Sequence, residues 1–177
     1  MKKLILATAV LCAAGAVHAA ESPEWNYVGV NYQDLDVYST SVDGFGLTGS
    51  VLLGENVFLT GDFSQTSGSG MDLDWLSAGV GYKFDVSPTT DLYGAISYED
   101  FGGDASETGY GLTAGVRSMI TESIELGAAL EHLDVVDTET GASVSGKYYF
   151  SDKFSVGATF GSMGDIDTMS VGAFLHF

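Results

Sequence analysis

The chain has 177 residues, with 24 acidic side chains against six basic ones, and a formal net charge of −18. Phosphate backbones would repel so acidic a polypeptide, which excludes nucleic-acid binding through counterion release. The length suits one domain with a substantial core, and a single cysteine, Cys12, excludes an internal disulfide.

Residues 1–19 have the organisation of a secretory signal peptide. Lys2 and Lys3 begin the segment, the apolar run LILATAVLCAAGAV follows, and the segment closes on Val17, His18 and Ala19. The run is shorter than the ~20 residues that a membrane-spanning helix needs. We therefore predict cleavage after Ala19, which leaves residues 20–177 as the exported domain with every acidic residue and two fewer cations.

The rest of the sequence alternates apolar and small polar residues with a period of two. In FGLTGSVLL, for example, Phe45 and Leu47 fall on one face and Gly46 and Thr48 on the other. The alternation returns many times with turn residues between, which indicates strands joined as hairpins. We predict ten strands, near residues 25–36, 43–53, 57–66, 73–84, 91–101, 108–119, 123–134, 141–150, 153–162 and 168–177. Eight strands are the alternative, if two of the predicted hairpins merge.

The polar faces of these strands carry Gly, Ser and Thr, and very few Lys or Arg side chains. A membrane barrel has this character, because it turns apolar side chains to lipid and fills a narrow interior with small polar ones. Closure also pairs every backbone donor and acceptor, as the hydrocarbon layer requires. The predicted fold class is all-β: a closed antiparallel up-and-down transmembrane β-barrel in the cell outer membrane, monomeric, with periplasmic termini.

Aromatic residues near the strand ends support the same fold, because Tyr and Trp are enriched at the two membrane–water boundaries. The predicted girdle residues are Tyr27, Tyr32, Tyr82, Tyr98, Tyr110, Tyr148, Phe150 and Phe154.

The final segment, MSVGAFLHF, alternates to its last position. The spacing of Gly172, Leu175 and Phe177 resembles the carboxy-terminal assembly signal of bacterial outer-membrane barrels. The resemblance implies escort by periplasmic chaperones, capture of this strand by the barrel assembly machinery, and closure by pairing of the last strand with the first.

The stretches YVGVNYQDLD, GFGLTGSVLL, YGLTAGVRSMI and, most specifically, VGYKFDVSPTTDLY resemble the small opacity-like bacterial outer-membrane barrels. They are most similar to a group of short barrel proteins associated with diffusible-signal regulation. The resemblance implies the fold and an outer-membrane location, and it supplies no catalytic residues.

Seven charged side chains point into the predicted barrel by strand parity. Three cations and four anions cannot stay unpaired where water is restricted, so we predict a hydrogen-bonded network that plugs the lumen. Inward glycines leave space for a thread of water, and a narrow cation-preferring pore is therefore the alternative. A wide porin is excluded, because it uses ~16–18 strands. The seven residues are Asp62, Lys83, Glu99, Arg117, Glu125, Glu131 and Lys147.

The candidate catalytic residues are His132, Asp134, Asp72 and Asp74. Proteases of the omptin family hold an Asp pair and an Asp–His pair above a ten-stranded barrel, and such groups could deprotonate water. Here the His–Asp order is reversed, and His132 falls on the lipid-facing parity. We therefore predict no enzyme and no cofactor, with an omptin-like protease as the third possibility.

Acidic tracts fall together at one end of the predicted barrel, and their carboxylates could bridge Ca²⁺ or Mg²⁺ to the phosphates of lipopolysaccharide. None has the spacing of a calcium loop, so we predict no dedicated metal site and an acidic, solvated rim. The expected role is structural or interactive at the cell surface, among outer-membrane lipid and lipopolysaccharide. The tracts are residues 34–36, 72–74, 102–104, 137–139 and 165–167.

Overall fold

A computed structural model describes residues 22–37, 40–68, 71–102, 106–135 and 138–177. The predicted signal peptide and its cleavage site at Ala19 lie outside these residues. Within the described part of the chain, no helix combines the length and the hydropathy needed to cross a membrane.

Ten antiparallel strands form one closed barrel. Each strand pairs with its neighbours in the sequence, and the last strand pairs with the first. The predicted ten-stranded up-and-down barrel is confirmed, and the eight-stranded alternative is wrong. The strands are β1 Tyr27–Val37, β2 Thr40–Leu53, β3 Val57–Gly68, β4 Met71–Ser87, β5 Thr90–Gly102, β6 Glu107–Thr121, β7 Ile124–Asp134, β8 Thr138–Ser151, β9 Phe154–Met163 and β10 Ile166–His176.

Several strands run further than the alternation predicted. The pattern in β4 predicts a strand over 73–84, yet the ladder continues through a register shift between Asp85 and Ser87. The strand ends before Pro88, which has no N–H to donate. Backbone pairing does not depend on apolar side chains, so a ladder extends beyond the apolar band that a sequence pattern detects.

The two ends of the barrel differ in what they carry. We call the end with residues 22–26, Phe177 and the turns β2–β3, β4–β5, β6–β7 and β8–β9 the terminal end, and the opposite end the distal end. Gly54 and Gly164 lie in turns with φ of 78° and 56°, the left-handed region that tight hairpin turns require.

Large apolar side chains cover the outside of the barrel. Phe45, Leu130 and Val30 expose 72%, 64% and 57% of their surface, and their neighbours along each strand face the lumen. Soluble monomers do not leave so continuous an apolar surface in water. The outer wall is therefore the lipid-facing surface of a membrane barrel.

Aromatic rings form pairs on this outer wall near both ends. Tyr32 packs edge-on against Phe45 with ring centroids 5.5 Å apart, and Tyr82 lies 4.7 Å from Phe84. Four further predicted girdle residues are exposed on the same wall, and Tyr148 is half-buried. The four are Tyr98, Tyr110, Phe150 and Phe154.

The prediction that Tyr27 belongs to a lipid-facing girdle is wrong. Its ring lines the lumen, packing edge-on against Phe174 with centroids 5.8 Å apart. Successive strand residues face opposite sides, and the next residue, Val28, takes the lipid side.

Replacing Leu130 with arginine is expected to destabilise the barrel by about 2–4 kcal/mol. Residue 130 lies in the middle of β7 with its side chain on the outer wall, so the charge would face hydrocarbon. The same change at Val86, near the terminal end of β4, should cost only about 0–1 kcal/mol. Urea unfolding from phospholipid bilayers measures both. Equal costs at the two depths would contradict a midplane position for Leu130.

Candidate functional site: the lumen

Aromatic rings occupy the space beside the inward glycines of the terminal half. A Cβ atom on Gly81 would overlap the ring of Phe58, and one on Gly115 would overlap the ring of Tyr93. Glycine marks places where another group approaches the backbone closely. The space expected at these glycines is thus filled with side chains in this half of the lumen.

Residues 22–26 turn into the terminal mouth and bury Trp25, which is only 6% exposed. The indole Nε1 donates a hydrogen bond to Asp91 Oδ2 at 2.7 Å. The indole ring lies 4.5 Å from the ring of Phe58 and 5.4 Å from that of Tyr93, measured between centroids. A buried tryptophan with both its polar and its apolar part engaged is held in one position.

A buried ion pair lies beside this tryptophan. Arg117 donates from Nε to Glu125 Oε1 at 2.8 Å and from Nη2 to Oε2 at 3.0 Å. The Tyr149 hydroxyl adds a hydrogen bond of 2.6 Å to Oε2. Such a two-pronged arginine–carboxylate pair is strong and directional.

Arg117 also ties the incoming segment to the wall. Its Nη2 donates to the backbone oxygen of Glu24 at 2.7 Å, and its guanidinium carbon lies 4.4 Å from the Trp25 ring centroid. Burial raises the pKa of the Glu24 carboxyl above its ordinary value, although the nearby Arg117 opposes the rise. We call Trp25, Asp91, Arg117, Glu125 and Tyr149 the terminal cluster.

Lys83 completes the charges around this cluster. Its Nζ contacts Asp85 and lies 3.6 Å from Asp91 Oδ2. Asp91 is completely buried, and the sequence did not identify it as a lumen residue, because it lies next to the turn before β5. The sequence also did not identify Trp25 as a lumen residue, because the alternating pattern included it in the first predicted strand. The signal that could have found it is an isolated tryptophan between the signal peptide and β1.

Lys147 lies opposite Glu125 in the ladder between β7 and β8, and its ammonium group contacts aromatic rings. Its Nζ lies 4.3 Å from the Tyr27 ring centroid and 4.7 Å from that of Phe174. Both distances are typical of cation–π contacts. Nearby, His176 faces the lumen, 3% exposed, with its Nε2 2.8 Å from Ser155 Oγ.

The distal half of the lumen carries three carboxylates. Glu99, 2% exposed, accepts hydrogen bonds from Trp75 Nε1 at 2.6 Å, Ser77 Oγ at 3.0 Å and the hydroxyl of Ser97. Glu131 accepts one from Ser143 at 2.7 Å. With Asp62, these residues line a cavity of about 530 Å³, a size typical of small-ligand sites.

The structure therefore places all seven predicted charged residues on the inner wall. Lys83, Arg117, Glu125 and Lys147 lie toward the terminal end, Glu99 and Glu131 lie toward the distal end, and Asp62 lies at the middle of β3. All of them except Lys83 line the same cavity. All three lumen cations are thus at one end.

The residues considered for catalysis are not brought together. His132 lies on the outer surface of β7, with its Nδ1 2.9 Å from Thr140 Oγ1, and Asp134 follows on the same face. Asp72 and Asp74 lie on β4, which is separated from β7 by two strands. No His–Asp arrangement above the barrel results from these positions.

The acidic tracts likewise form no metal centre within the described ranges. No three His, Cys, Asp or Glu side chains among those residues are close enough to hold a metal ion. Residues 103–104 and 137, which belong to two of the tracts, lie outside the description.

A family model for the outer membrane protein beta-barrel domain matches residues 4–140, well over half of the chain. The chain belongs to this family. Its location is therefore the outer membrane, as the sequence predicted. The finer resemblance to opacity-like barrels associated with diffusible-signal regulation stays a prediction. No curated protein matches the chain.

Solved outer-membrane proteins share the fold. The KdgM porin in complex with disordered oligogalacturonate has a TM-score of 0.53 at 12% identity, covering 85% of this chain and 99% of its own. An outer-membrane channel from Pseudomonas putida F1 has 0.55 at 10%, with 88% and 96% covered. The NanC porin has 0.54 at 7%, with 84% and 98% covered. Identities this low show the fold alone.

Proposed function

We propose that this protein is a closed outer-membrane barrel with a structural or surface-interaction role, its lumen stopped at the terminal end. The observation that carries the proposal is the burial of Trp25 in that mouth, hydrogen-bonded to Asp91 and stacked under the Arg117 guanidinium. These contacts support a mouth in which the buried side chains leave no wide path for solutes.

The cluster is built to stay closed. Withdrawing residues 22–26 would remove the indole from Asp91 and the Glu24 carbonyl from Arg117. Each loss would remove one hydrogen bond from a buried charged group, which is costly in a space of restricted water, although Arg117 keeps Glu125 and Asp91 keeps Lys83. By the topology usual for bacterial barrels we assign the terminal end to the periplasm.

A narrow cation-preferring pore is the second candidate. Asp62, Glu99 and Glu131 favour it, because carboxylates on the wall of a narrow lumen attract cations and repel anions. KdgM and NanC, which share the fold, are called porins. The terminal cluster would then have to move for ions to pass.

Conductance of the purified barrel in planar bilayers separates the two candidates. We expect no steady current from the unmodified protein, because the terminal cluster blocks hydrated ions. Steady, cation-selective steps in the unmodified barrel would contradict the closed state and favour the pore.

The distal rim and β10 suggest partners for the proposed role. Rim carboxylates such as Asp74, which accepts a hydrogen bond of 3.2 Å from Gln65, form no group of three among the described residues that could hold a metal ion. A divalent cation there would be shared with lipopolysaccharide phosphates rather than held by the protein alone. During biogenesis, the end of β10 with Gly172, Leu175 and Phe177 would engage the barrel assembly machinery before a monomeric barrel closes.

A further inference from the structure

We propose that the distal half of the lumen binds linear polyamines, in a site built on Asp62, Glu99 and Glu131. Binding would occur from the distal end, where the cavity reaches Leu73 and Phe101. The proposal goes beyond the closed-barrel role and does not depend on whether the lumen conducts.

The first argument is charge. Among the described residues, no Lys, Arg or His nitrogen lies within 4 Å of any of the three carboxylates. Lys83 and Arg117 are committed to Asp85, Asp91 and Glu125 in the terminal half. Arg117 and Lys147 line the same cavity, but Arg117 is paired with Glu125. The three carboxylates therefore leave an excess of negative charge on the wall, which concentrates cations there.

Lys147 lines the same cavity but is not within 4 Å of any of the three carboxylates. It lies between two aromatic rings in the terminal half of β8. Lys153, the remaining cation of the described chain, is exposed in the terminal turn between β8 and β9.

The second argument is spacing, which decides between a metal ion and an organic cation. The three carboxylates stand on β3, β5 and β7, alternate strands whose backbones are separated by about 10 Å. A calcium ion needs its oxygen ligands within about 2.3–2.6 Å, which requires the carboxylates to be grouped closely around it. No metal-sized group of acidic side chains forms among the described residues.

A linear polyamine matches this spacing. Its ammonium groups are separated by methylene segments, so successive charges can reach carboxylates that stand apart on the wall. The methylene segments would lie against small apolar side chains of the lining, such as Ala95 and Ala129. Trp75 and Tyr93 line the same cavity and provide aromatic surfaces that attract ammonium groups.

The third argument is an unpartnered polar atom in the same cavity. Ser50 lines the cavity and is 6% exposed, yet its Oγ has no hydrogen-bond partner. Buried hydroxyls are normally hydrogen-bonded, so an orphan indicates a missing donor or acceptor. An ammonium group at the base of the cavity would donate to it.

Asp62 and Glu131 are the residues to test. Both are only partly buried and face the cavity, whereas the oxygens of Glu99 are already occupied by three donors. Glu99 therefore contributes its charge, and the other two offer free acceptor positions to the ligand.

Isothermal titration calorimetry on the complete folded barrel in detergent, at low ionic strength, tests the proposal. Spermidine should bind at least about tenfold more tightly than butylamine or Mg²⁺. Asp62→Asn and Glu131→Gln should each weaken spermidine binding about tenfold, because each removes one ammonium partner. Heat-dependent gel mobility verifies that each variant is folded, and either variant alone suffices if the other does not fold.

Asp72→Asn is the matched control, because it removes one carboxylate from the outer surface of the same barrel. It should leave spermidine binding unchanged. Equal weakening by Asp72→Asn, or spermidine affinity no greater than that of butylamine or Mg²⁺, would overturn the proposal. Spermidine binding in a barrel that also conducts would overturn the closed-barrel role and leave this proposal standing.

Discussion

Replacing Trp25 with alanine is expected to open the barrel. The change removes the largest side chain from the terminal mouth and leaves the segment 22–26 without its hydrogen bond to Asp91. Narrow pores conduct once the groups that exclude water from a constriction are removed, so steady single-channel steps should appear where the unmodified barrel gives none. Planar-bilayer recording measures the change, and the current should prefer cations because of the distal carboxylates.

The chain offers a matched control in Trp75, its only other tryptophan. Trp75 lines the distal half and bonds to Glu99, away from the terminal mouth. Trp75→Ala should therefore leave the barrel closed. A similar rise in conductance from both variants would indicate a general loosening of the barrel and would contradict a stopper at the terminal end.

Replacing Glu125 with alanine should destabilise the barrel by about 3–5 kcal/mol, because it leaves the buried Arg117 guanidinium without a counter-charge. The Tyr149 hydroxyl would lose its acceptor as well. Urea unfolding of the barrel from phospholipid bilayers, followed by tryptophan fluorescence, measures the loss.

A double variant separates the cost of an unpaired charge from the cost of lost packing volume. Arg117→Met with Glu125→Leu replaces the ion pair by apolar groups of similar size and should recover most of the stability, because no charge is left unpaired. Glu107→Ala, an exposed glutamate at the distal start of β6, should change little. A cost for Glu125→Ala no larger than that for Glu107→Ala would show that the buried pair contributes nothing.

These two experiments address different properties of the terminal cluster. Trp25 occludes the mouth, and the Arg117–Glu125 pair anchors the segment that carries it through the Glu24 carbonyl. A variant that loses this anchor should therefore also conduct ions. The double variant with the apolar pair lacks the contact to Glu24 as well, although it should be stable.

The strand number, their order and the lipid-facing side were predictable from alternation. A strand places successive side chains on opposite faces, so the apolar register of segments such as FGLTGSVLL reports which side faces lipid without any knowledge of the fold. The inward direction of Arg117, Glu125 and Glu131 followed from the same periodicity. Strand ends were less predictable, as in β4, because the ladder continues where the apolar pattern stops.

The alternating pattern predicted the wrong face, or none, for residues near the strand ends. Tyr27 was assigned to lipid and faces the lumen, and Asp91 was not recognised as buried. Both lie at the first residues of a strand, where few alternating neighbours define the face. Trp25 precedes β1 altogether, so no periodicity could predict that it turns inward.

Local periodicity determined the barrel itself, its ten strands, its apolar exterior and the identity of its seven inward charges. Only the folded structure decided how those charges divide, because each ion pair depends on the ladder register between two neighbouring strands, β6 and β7 for Arg117 and Glu125, and β4 and β5 for Lys83 and Asp91. These registers bring Arg117 to Glu125 and Lys83 to Asp91, and they leave Asp62, Glu99 and Glu131 on the cavity wall with no cationic side chain paired to them.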